Sequence, residues 1–594
     1  MDYKNIPNLV RMFFDRAAEH GDRPFLWVKR DGTYRPLSWA ETARAVNRLS
    51  RGLRALGIER GDRVALVSEN RPEWAIADIA IMAAGAISVP GYTTNTADDH
   101  RHILHNTGAK AAIVSTRKLS VNVLAAARQA PSMRFIVAME PLGLTQHPGI
   151  DVLGWDEVLN RGDATPDDVS AVVETIARGD TSCVIHTSGT GGVPRGVTLS
   201  HGAIICNCMG AEELLKELGL ENDVFLCFLP LSHSYEHAAG MFFPISVGAQ
   251  IYYAEGADTL AANMVEVRPT IMTAVPRLYE TLHARITSAM RREGGLKAKL
   301  FWKAVELGTR RYHDPKSLDA VERIQDAALD LLVRRKIKAR FGGRLKALVS
   351  GGAPLNPEIG IFFTALGLCL LQGYGQTEAA PVVSCNPPRR VKLHTVGPPL
   401  KDVEVRIAED GEILVRGELV MKGYWNEPEA TAAALDGGWL HTGDIGLIDA
   451  DGYIQITDRK RDIIVISGGD NLSPQRVEGF LTLEPEIAQA MVHGDKQPYL
   501  VAVIVPRHEF AHDWAAKHGK GAALATLALD QDFREALGQA VDRVNAKLSP
   551  IERVRRFILA GEPFGLENNM LTPSLKIRRH VIKEVYGAAL DALY

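Results

Sequence analysis

Short apolar runs alternate with helix-period segments through most of the chain. Residues 64–67, 111–114 and 135–137 are compact aliphatic runs without alternating polar positions, the pattern of strands buried on both faces. Residues 38–56 carry apolar side chains at helical spacing and predict a helix between two such strand regions. The alternation predicts an α/β fold whose large N-terminal domain has layered, largely parallel sheets. Residues 400–416 read instead as two strands about a turn at Asp410-Gly411, a small β subdomain. At the N-terminus, Ile6, Leu9, Val10, Phe13 and Phe14 predict an amphipathic helix. The longest apolar stretch, residues 75–89, is broken by Asp78. It is shorter than the roughly 20 residues a membrane span needs.

A chain of 594 residues exceeds a single ordinary core. A dense charge cluster at residues 458–462 marks the expected boundary, giving an N-terminal domain over 1–460 and a small α+β domain over 461–594. Beyond the boundary the pattern restarts: a strand at 463–466, a turn at Gly468-Gly469, then Ser473 as helix cap before Pro474. Strand-like runs at 500–505 and 557–559 complete that domain. The segment 281–346 stands apart, with 17 Lys and Arg against 7 Asp and Glu. Val321, Ile324, Leu331 and Leu332 run through it at helical spacing, so it reads as a basic helical insertion. Either a solvated hairpin or a membrane-surface, acyl-presenting role fits that pattern.

Composition narrows the classes. Hydrophobic residues make up 46% and charged residues 23%, as in soluble globular proteins. A formal net charge of -3 gives no global attraction to nucleic acid or anionic lipid. The six cysteines form no C-x-x-C pair, which argues against a zinc site or a disulfide framework and fits a reducing cytoplasm. The first residues, Met1-Asp2-Tyr3-Lys4-Asn5, lack the charged-then-apolar order of a secretion signal. The expectation is a cytoplasmic protein with no nucleic-acid partner, in which peripheral membrane contact through the basic insertion is an open role. Oligomeric state is not legible.

The chemistry concentrates in a few loops. Thr187-Ser188-Gly189-Thr190-Gly191-Gly192-Val193-Pro194-Arg195-Gly196 follows an apolar run and packs hydroxyls, glycines and one cation into ten residues. Glycines let backbone amides close around an anion, hydroxyls add donors and Arg supplies charge. The G-x-x-x-x-G-K-[ST] pattern does not occur, and the loop taken alone fits a plain turn equally well. Further segments accompany it in order: Ser350-Gly351-Gly352-Ala353-Pro354, Gln372-Gly373-Tyr374-Gly375-Gln376-Thr377-Glu378, and Gly438-Trp439-Leu440-His441-Thr442-Gly443-Asp444. Asp458-Arg459-Lys460-Arg461-Asp462 and Leu571-Thr572-Pro573-Ser574-Leu575-Lys576 come last.

In this order the segments resemble the adenylate-forming enzymes: acyl-CoA synthetases, adenylation domains and luciferases. Leu229-Pro230-Leu231-Ser232-His233-Ser234-Tyr235-Glu236 and Val275-Pro276-Arg277 are similar to the long-chain fatty acyl-CoA synthetase branch. The resemblance implies that Thr187, Ser188, Thr190 and Arg195, with Gly189 and Gly192, hold the phosphates of ATP that leave as pyrophosphate. Arg195 stands where the family usually has Lys, which keeps the charge and adds a bidentate fork. It further implies that Tyr374 stacks on adenine in a slot shaped by Gly352, Ala353 and Pro354. Glu378 would hold Mg²⁺, Thr377 would touch phosphate, and Asp444 would accept the ribose hydroxyls with Arg459 beside it.

By the same resemblance Lys576 is the catalytic lysine of a mobile C-terminal domain. That domain would turn about a hinge at Arg461 so that Gly468 and Gly469 face the pantetheine channel of coenzyme A. Read locally, Lys576, Arg578, Arg579 and Lys583 also fit a solvated basic helix face. His233 lies in the segment that would line the acyl and thiol approach, and a structural role fits it as well. The implied activity is an ATP- and Mg²⁺-dependent ligase joining medium- to long-chain fatty acids to coenzyme A through an acyl-AMP. Two alternatives stay open: an acyl-AMP ligase serving a separate carrier protein, and a nucleotide-binding regulatory protein without turnover.

Overall fold

A computed structural model describes residues 1–143, 150–166, 168–187, 194–256, 258–460, 462–467, 470–572 and 576–594. Two eight-stranded sheets form the body of the first 385 residues together with Gly423–Tyr424. In one, Thr181–Thr187, Ile87–Gly91, Arg63–Val67, Ala111–Val114, Phe135–Ala138 and Asp151–Gly154 lie side by side and parallel. Arg195–Ser200 and Gly423–Tyr424 extend it antiparallel at one edge. In the other, Leu370–Gly375, Ala347–Ser350, Ile271–Ala274, Val224–Cys227, Gln250–Tyr253 and Pro24–Arg30 run parallel, with an antiparallel strand closing each end. The aliphatic runs of the sequence are the buried central strands, because a parallel strand covered by helices on both faces has no polar side.

Helices fill the space around the sheets. Trp39–Ala55 begins at Ser38, whose hydroxyl accepts from the Glu41 amide at 3.1 Å while the Glu41 carboxylate accepts from the Ser38 amide at 2.8 Å. Pro72–Ala83 is buried on all sides except at Glu73, as expected of a helix that is apolar all round. With Ile87–Gly91 it accounts for the long apolar stretch of the sequence. Asp78 within it is fully buried and pairs with His237 at 2.9 Å. Burial opposes the imidazolium, but the Asp78 carboxylate outweighs it and raises His237 to about 10. The N-terminal helix runs from Leu9 to His20 and buries Leu9, Val10, Met12 and Phe13. Ile6 lies before the Asn8 cap, outside the helix the periodicity predicts.

A smaller sheet contains the hairpin Glu404–Ile407 and Glu412–Arg416, turning at Asp410-Gly411, with Trp439–Ile448 and Ile454–Arg459 alongside. After Arg459 the chain builds a three-stranded sheet of Ile487–His493, Leu500–Pro506 and Val554–Leu559, flanked by helices. Ser473 caps the helix Pro474–Leu481 through the Arg476 amide. The basic segment is helical: Pro276–Glu293, Gly295–His313 and a long element from Ala320 to Arg340 with one π turn at Asp330–Arg334. Among the described residues no helix is long and apolar enough to cross a membrane.

Candidate active site

Strand ends assemble the site. Thr187 ends one strand, Arg195 begins the next, and the two residues are register partners across the antiparallel pair. Both ends of the hydroxyl- and glycine-rich loop are therefore anchored at the sheet edge. Ser188, Gly189, Thr190 and Gly192 of that loop lie outside the described residues, as do Arg461, Gly468 and Gly469. Ser350 and Gln372 are partners in the other sheet, so the segments after them emerge together. Gly352 sits at φ +81°, and a side chain on Gly375 would come within 1.9 Å of the Pro381 carbonyl oxygen. Glycine is what lets these two turns approach the cavity.

The cavity between these ends has a volume of about 760 Å³, within the range of small-molecule sites. Thr187, Arg195, His233, Gly352, Tyr374, Thr377, Glu378, Arg459 and Lys576 all line it. The structure thus gathers side chains separated by up to 389 positions. One expectation, that Ala353 and Pro354 shape the slot, needs correction. Ala353 and Pro354 are exposed and do not line the cavity, because the chain turns outward after Gly352. Asp444 is buried behind the lining: one carboxylate oxygen accepts from the Tyr374 hydroxyl at 2.6 Å and the other from Arg459 Nε at 3.1 Å. Each carboxylate oxygen keeps a second lone pair, so a ribose diol would share Asp444 with those two groups rather than meet it bare.

Lys576 is tied to Thr572 by two hydrogen bonds. Its amide donates to Thr572 Oγ1 at 3.0 Å, and its carbonyl accepts from the Thr572 amide at 2.8 Å. Burial, reinforced by Arg459 and partly offset by Asp444 and Glu378, lowers the ammonium to about 8. His233 is kept neutral, lowered to about 4 by burial and then by Lys576, and its Nδ1 accepts from the Tyr235 amide at 3.1 Å. Lys576 reaches the cavity because the C-terminal part docks on the first body. Arg277 donates to the Ala488 carbonyl at 3.1 Å, Asn356 donates to the Gly479 carbonyl at 3.2 Å, and Leu483 packs on the apolar cluster around Phe362 and Leu366.

Residues that sequence reasoning did not single out hold the predicted ones. Tyr424 donates to Glu378 Oε1 at 2.9 Å, and its ring lies under the Arg195 guanidinium, 5.4 Å from centroid. Arg195 also pairs with Glu427 at 3.1 Å. Ser234 and Thr377 share a hydrogen bond at 3.0 Å. Glu412 accepts from the Gly443 amide at 2.8 Å and from Lys460 at 3.1 Å, fixing the turn before Asp444. Only Ser234 had a signal, its place in the His233-Ser234-Tyr235 run; the others are joined to their partners by the fold alone.

Among the described residues no three His, Cys, Asp or Glu side chains form a metal cage. Glu378 offers one carboxylate at the cavity wall. One protein carboxylate completed by phosphate oxygens and water is a common way to hold Mg²⁺, so the residues present fit magnesium carried in with a nucleotide. Chemically, Lys576, Arg459 and Arg195 face a glycine-lined cavity that also carries Glu378, Glu412, Glu427 and Asp462, with Glu427 held by Arg195 and Glu412 by Lys460 and the Gly443 amide, an arrangement suited to a polyphosphate beside a carboxylate.

Comparison with known proteins agrees with this geometry. The family model described as AMP-binding enzyme matches residues 13–425, and that for the AMP-binding enzyme C-terminal domain matches residues 461–594. Long-chain-fatty-acid–CoA ligase FadD15 of Mycobacterium tuberculosis is 32% identical over 595 residues, covering 99% of this chain and 97% of its own. Long chain acyl-CoA synthetase 7, peroxisomal, of Arabidopsis thaliana is 32% identical over 626 residues, covering 100% and 87%. The adenylation domain of a carboxylate reductase from Mycobacterium chelonae superposes with a TM-score of 0.78 at 22% identity, covering 100% of this chain and 92% of that one. That likeness concerns the fold.

Proposed function

We propose that this chain, which belongs to the family of AMP-binding enzymes, is an ATP-dependent fatty acid–CoA ligase. A carboxylate is a poor acyl donor, because its charge repels nucleophiles and oxide is a poor leaving group. Attack of the carboxylate on the α-phosphate of ATP forms acyl-AMP and releases pyrophosphate. The thiol of coenzyme A then displaces AMP to give acyl-CoA. The observation that carries this reading is Lys576 in the same cavity as Glu378, Thr377 and Arg459, although it comes from the other end of the chain. A nucleotide-binding protein without turnover would not require an ammonium brought there from the far end of the chain.

In this reading Lys576 places its charge between the acid carboxylate and the α-phosphate, where negative charge concentrates as the new P–O bond forms. Thr187 and Arg195 hold the departing phosphates, with Tyr424 and Glu427 steadying the guanidinium from either side. Magnesium held by Glu378 would neutralise charge on the phosphates as they separate. Tyr374 forms one wall of the adenine slot, and its hydroxyl with Arg459 orients Asp444 toward the ribose. For the second step the thiol must enter where Lys576 stands, so the C-terminal part has to leave its present docking and turn about the segment at Arg461. The relatives' names support a long-chain acid as substrate and coenzyme A as acceptor. The basic segment supports a peripheral membrane contact. Pyrophosphate release across a panel of acids, with and without coenzyme A, tests the reading. Release with no acid of the panel would overturn it, and release without thioester formation would move the acceptor to a carrier protein.

A further inference from the structure

The helix from Ala320 to Arg340 faces the wrong way for a core element. Its inward side presents Asp326, Leu329, Val333 and Arg334. Arg334 is fully buried; it pairs with Asp326 at 2.5 Å and donates to the carbonyls of Ala304 at 3.0 Å and Ala365 at 2.7 Å. The outward side carries the large aliphatic residues: Val321 is 63% exposed, Ile324 73%, Leu331 54% and Leu332 51%. Positions 321, 324, 328, 331 and 335 follow one another at three- and four-residue steps, so they form one stripe along the helix. Ala328 fills its middle, and exposed Arg335, Lys336 and Arg340 continue from its end, with Arg323 beside it. On the preceding helix Leu296 and Trp302 are also exposed. An aliphatic stripe of this length on a helix that buries an ion pair is not what core packing produces.

We infer that this stripe is a docking surface for a bilayer containing anionic lipid, with Val321, Ile324, Leu331 and Leu332 entering the boundary between headgroups and acyl chains and the adjoining bases engaging lipid phosphates. The charge of the segment, 17 basic against 7 acidic residues, selects this occupant. A second copy of the chain would bring two surfaces with the same positive excess together, which like-charge repulsion opposes. Aliphatic side chains also offer nucleic acid neither stacking nor phosphate contacts. The inference deepens the membrane contact within the proposed function and rests on that reading only for its use: a long-chain acid partitions into a bilayer, and an enzyme lying there meets it at high local concentration.

The test is flotation of the purified full-length protein with vesicles of phosphatidylcholine alone or mixed with phosphatidylglycerol, at low and high salt. It needs no ATP, acid or coenzyme A, so its failure and a failure of the ligase reading are separate results. Wild type is expected to float with the anionic vesicles and to be released by salt. Ile324→Ser/Leu331→Ser and Arg335→Glu/Lys336→Glu should each lower the partition coefficient roughly tenfold or more. Both variants alter exposed side chains and should keep wild-type activity on a water-soluble short-chain acid without vesicles, which also reports that they fold. Full flotation of the Ile324→Ser/Leu331→Ser variant would overturn the inference, as would equal binding of wild type to neutral and anionic vesicles. Loss of a concentration-dependent dimer in the same variant, with vesicle binding unchanged, would assign the stripe to a second copy instead.

Discussion

The Tyr374 hydroxyl donates to the buried Asp444 carboxylate at 2.6 Å, joining strands of two different sheets at residues 70 positions apart. The bond makes Tyr374, the proposed adenine-side wall, and Asp444, the proposed ribose-side acid, one unit, with Arg459 closing the other oxygen. Replacing Tyr374 by Phe keeps the ring and removes one donor, so ATP affinity should fall only about three- to tenfold, the worth of one buried hydrogen bond. Asp444→Ala strands the Tyr374 hydroxyl and Arg459 and also removes the ribose acceptor. Its loss should be larger, roughly ten- to hundredfold. Nucleotide titration of the two variants checks the order, and an Asp444→Ala affinity equal to that of wild type would place this carboxylate outside nucleotide recognition.

Glu378 accepts from Tyr424 at the cavity wall. Glu378→Ala should nearly abolish pyrophosphate release while weakening ATP binding much less, because a metal-held charge matters most as the phosphates part. Tyr424→Phe leaves the carboxylate in place but less firmly oriented, and its turnover should fall by a smaller factor, about tenfold or less. Near-normal release from Glu378→Ala at saturating Mg²⁺ would remove the metal role.

Burial lowers Lys576 to about 8, so the unliganded enzyme loses its ammonium as pH rises through that value. The charged form that the proposed role in adenylation requires predominates below about 8 and declines tenfold per pH unit above it. The kcat/KM of the adenylation step should therefore fall on the alkaline side, and Lys576→Arg, which stays charged, should flatten that limb even at reduced rate. An alkaline limb unchanged in Lys576→Arg would assign the titration to another group.

The Arg277 contact to the Ala488 carbonyl exists only while the C-terminal part is docked as seen. Arg277→Ala should slow adenylation by a modest factor, roughly two- to tenfold because the guanidinium is half exposed. It should leave thioester formation from supplied acyl-adenylate unchanged. Stopped assays of the two half-reactions separate these effects, and equal slowing of both would make Arg277 a stabilising residue only.

Much of this architecture is written in local patterns. Aliphatic runs such as Ala111–Val114 became central parallel strands because nothing polar in them could face water, and the Asp410-Gly411 turn became a hairpin by its own chemistry. The same patterns do not say which side of a helix meets the core. Val321, Ile324, Leu331 and Leu332 have helical spacing in either case, and the fold buries Arg334 with Asp326 instead. At the site, the resemblance of the motifs to a known family singles out Thr187, Glu378 and Lys576, whereas the residues that orient them carry no signal in the sequence. Tyr424 meets Glu378 only because a two-residue strand, Gly423–Tyr424, pairs with the Arg195–Ser200 edge. Ala353 and Pro354 share a motif with Gly352, yet the chain leaves the cavity directly after that glycine.

The central claim is that Lys576 acts in one half-reaction only, and assaying the two halves separately with Lys576→Ala tests it most directly. Removing a preorganised charge from the forming bond should slow acyl-AMP formation about 100- to 1000-fold. Supplied acyl-adenylate and coenzyme A should still give thioester at close to the wild-type rate, since the lysine must be absent from the cavity for the thiol to enter. Equal loss of both half-reactions, or adenylation within a few fold of wild type, would contradict the account.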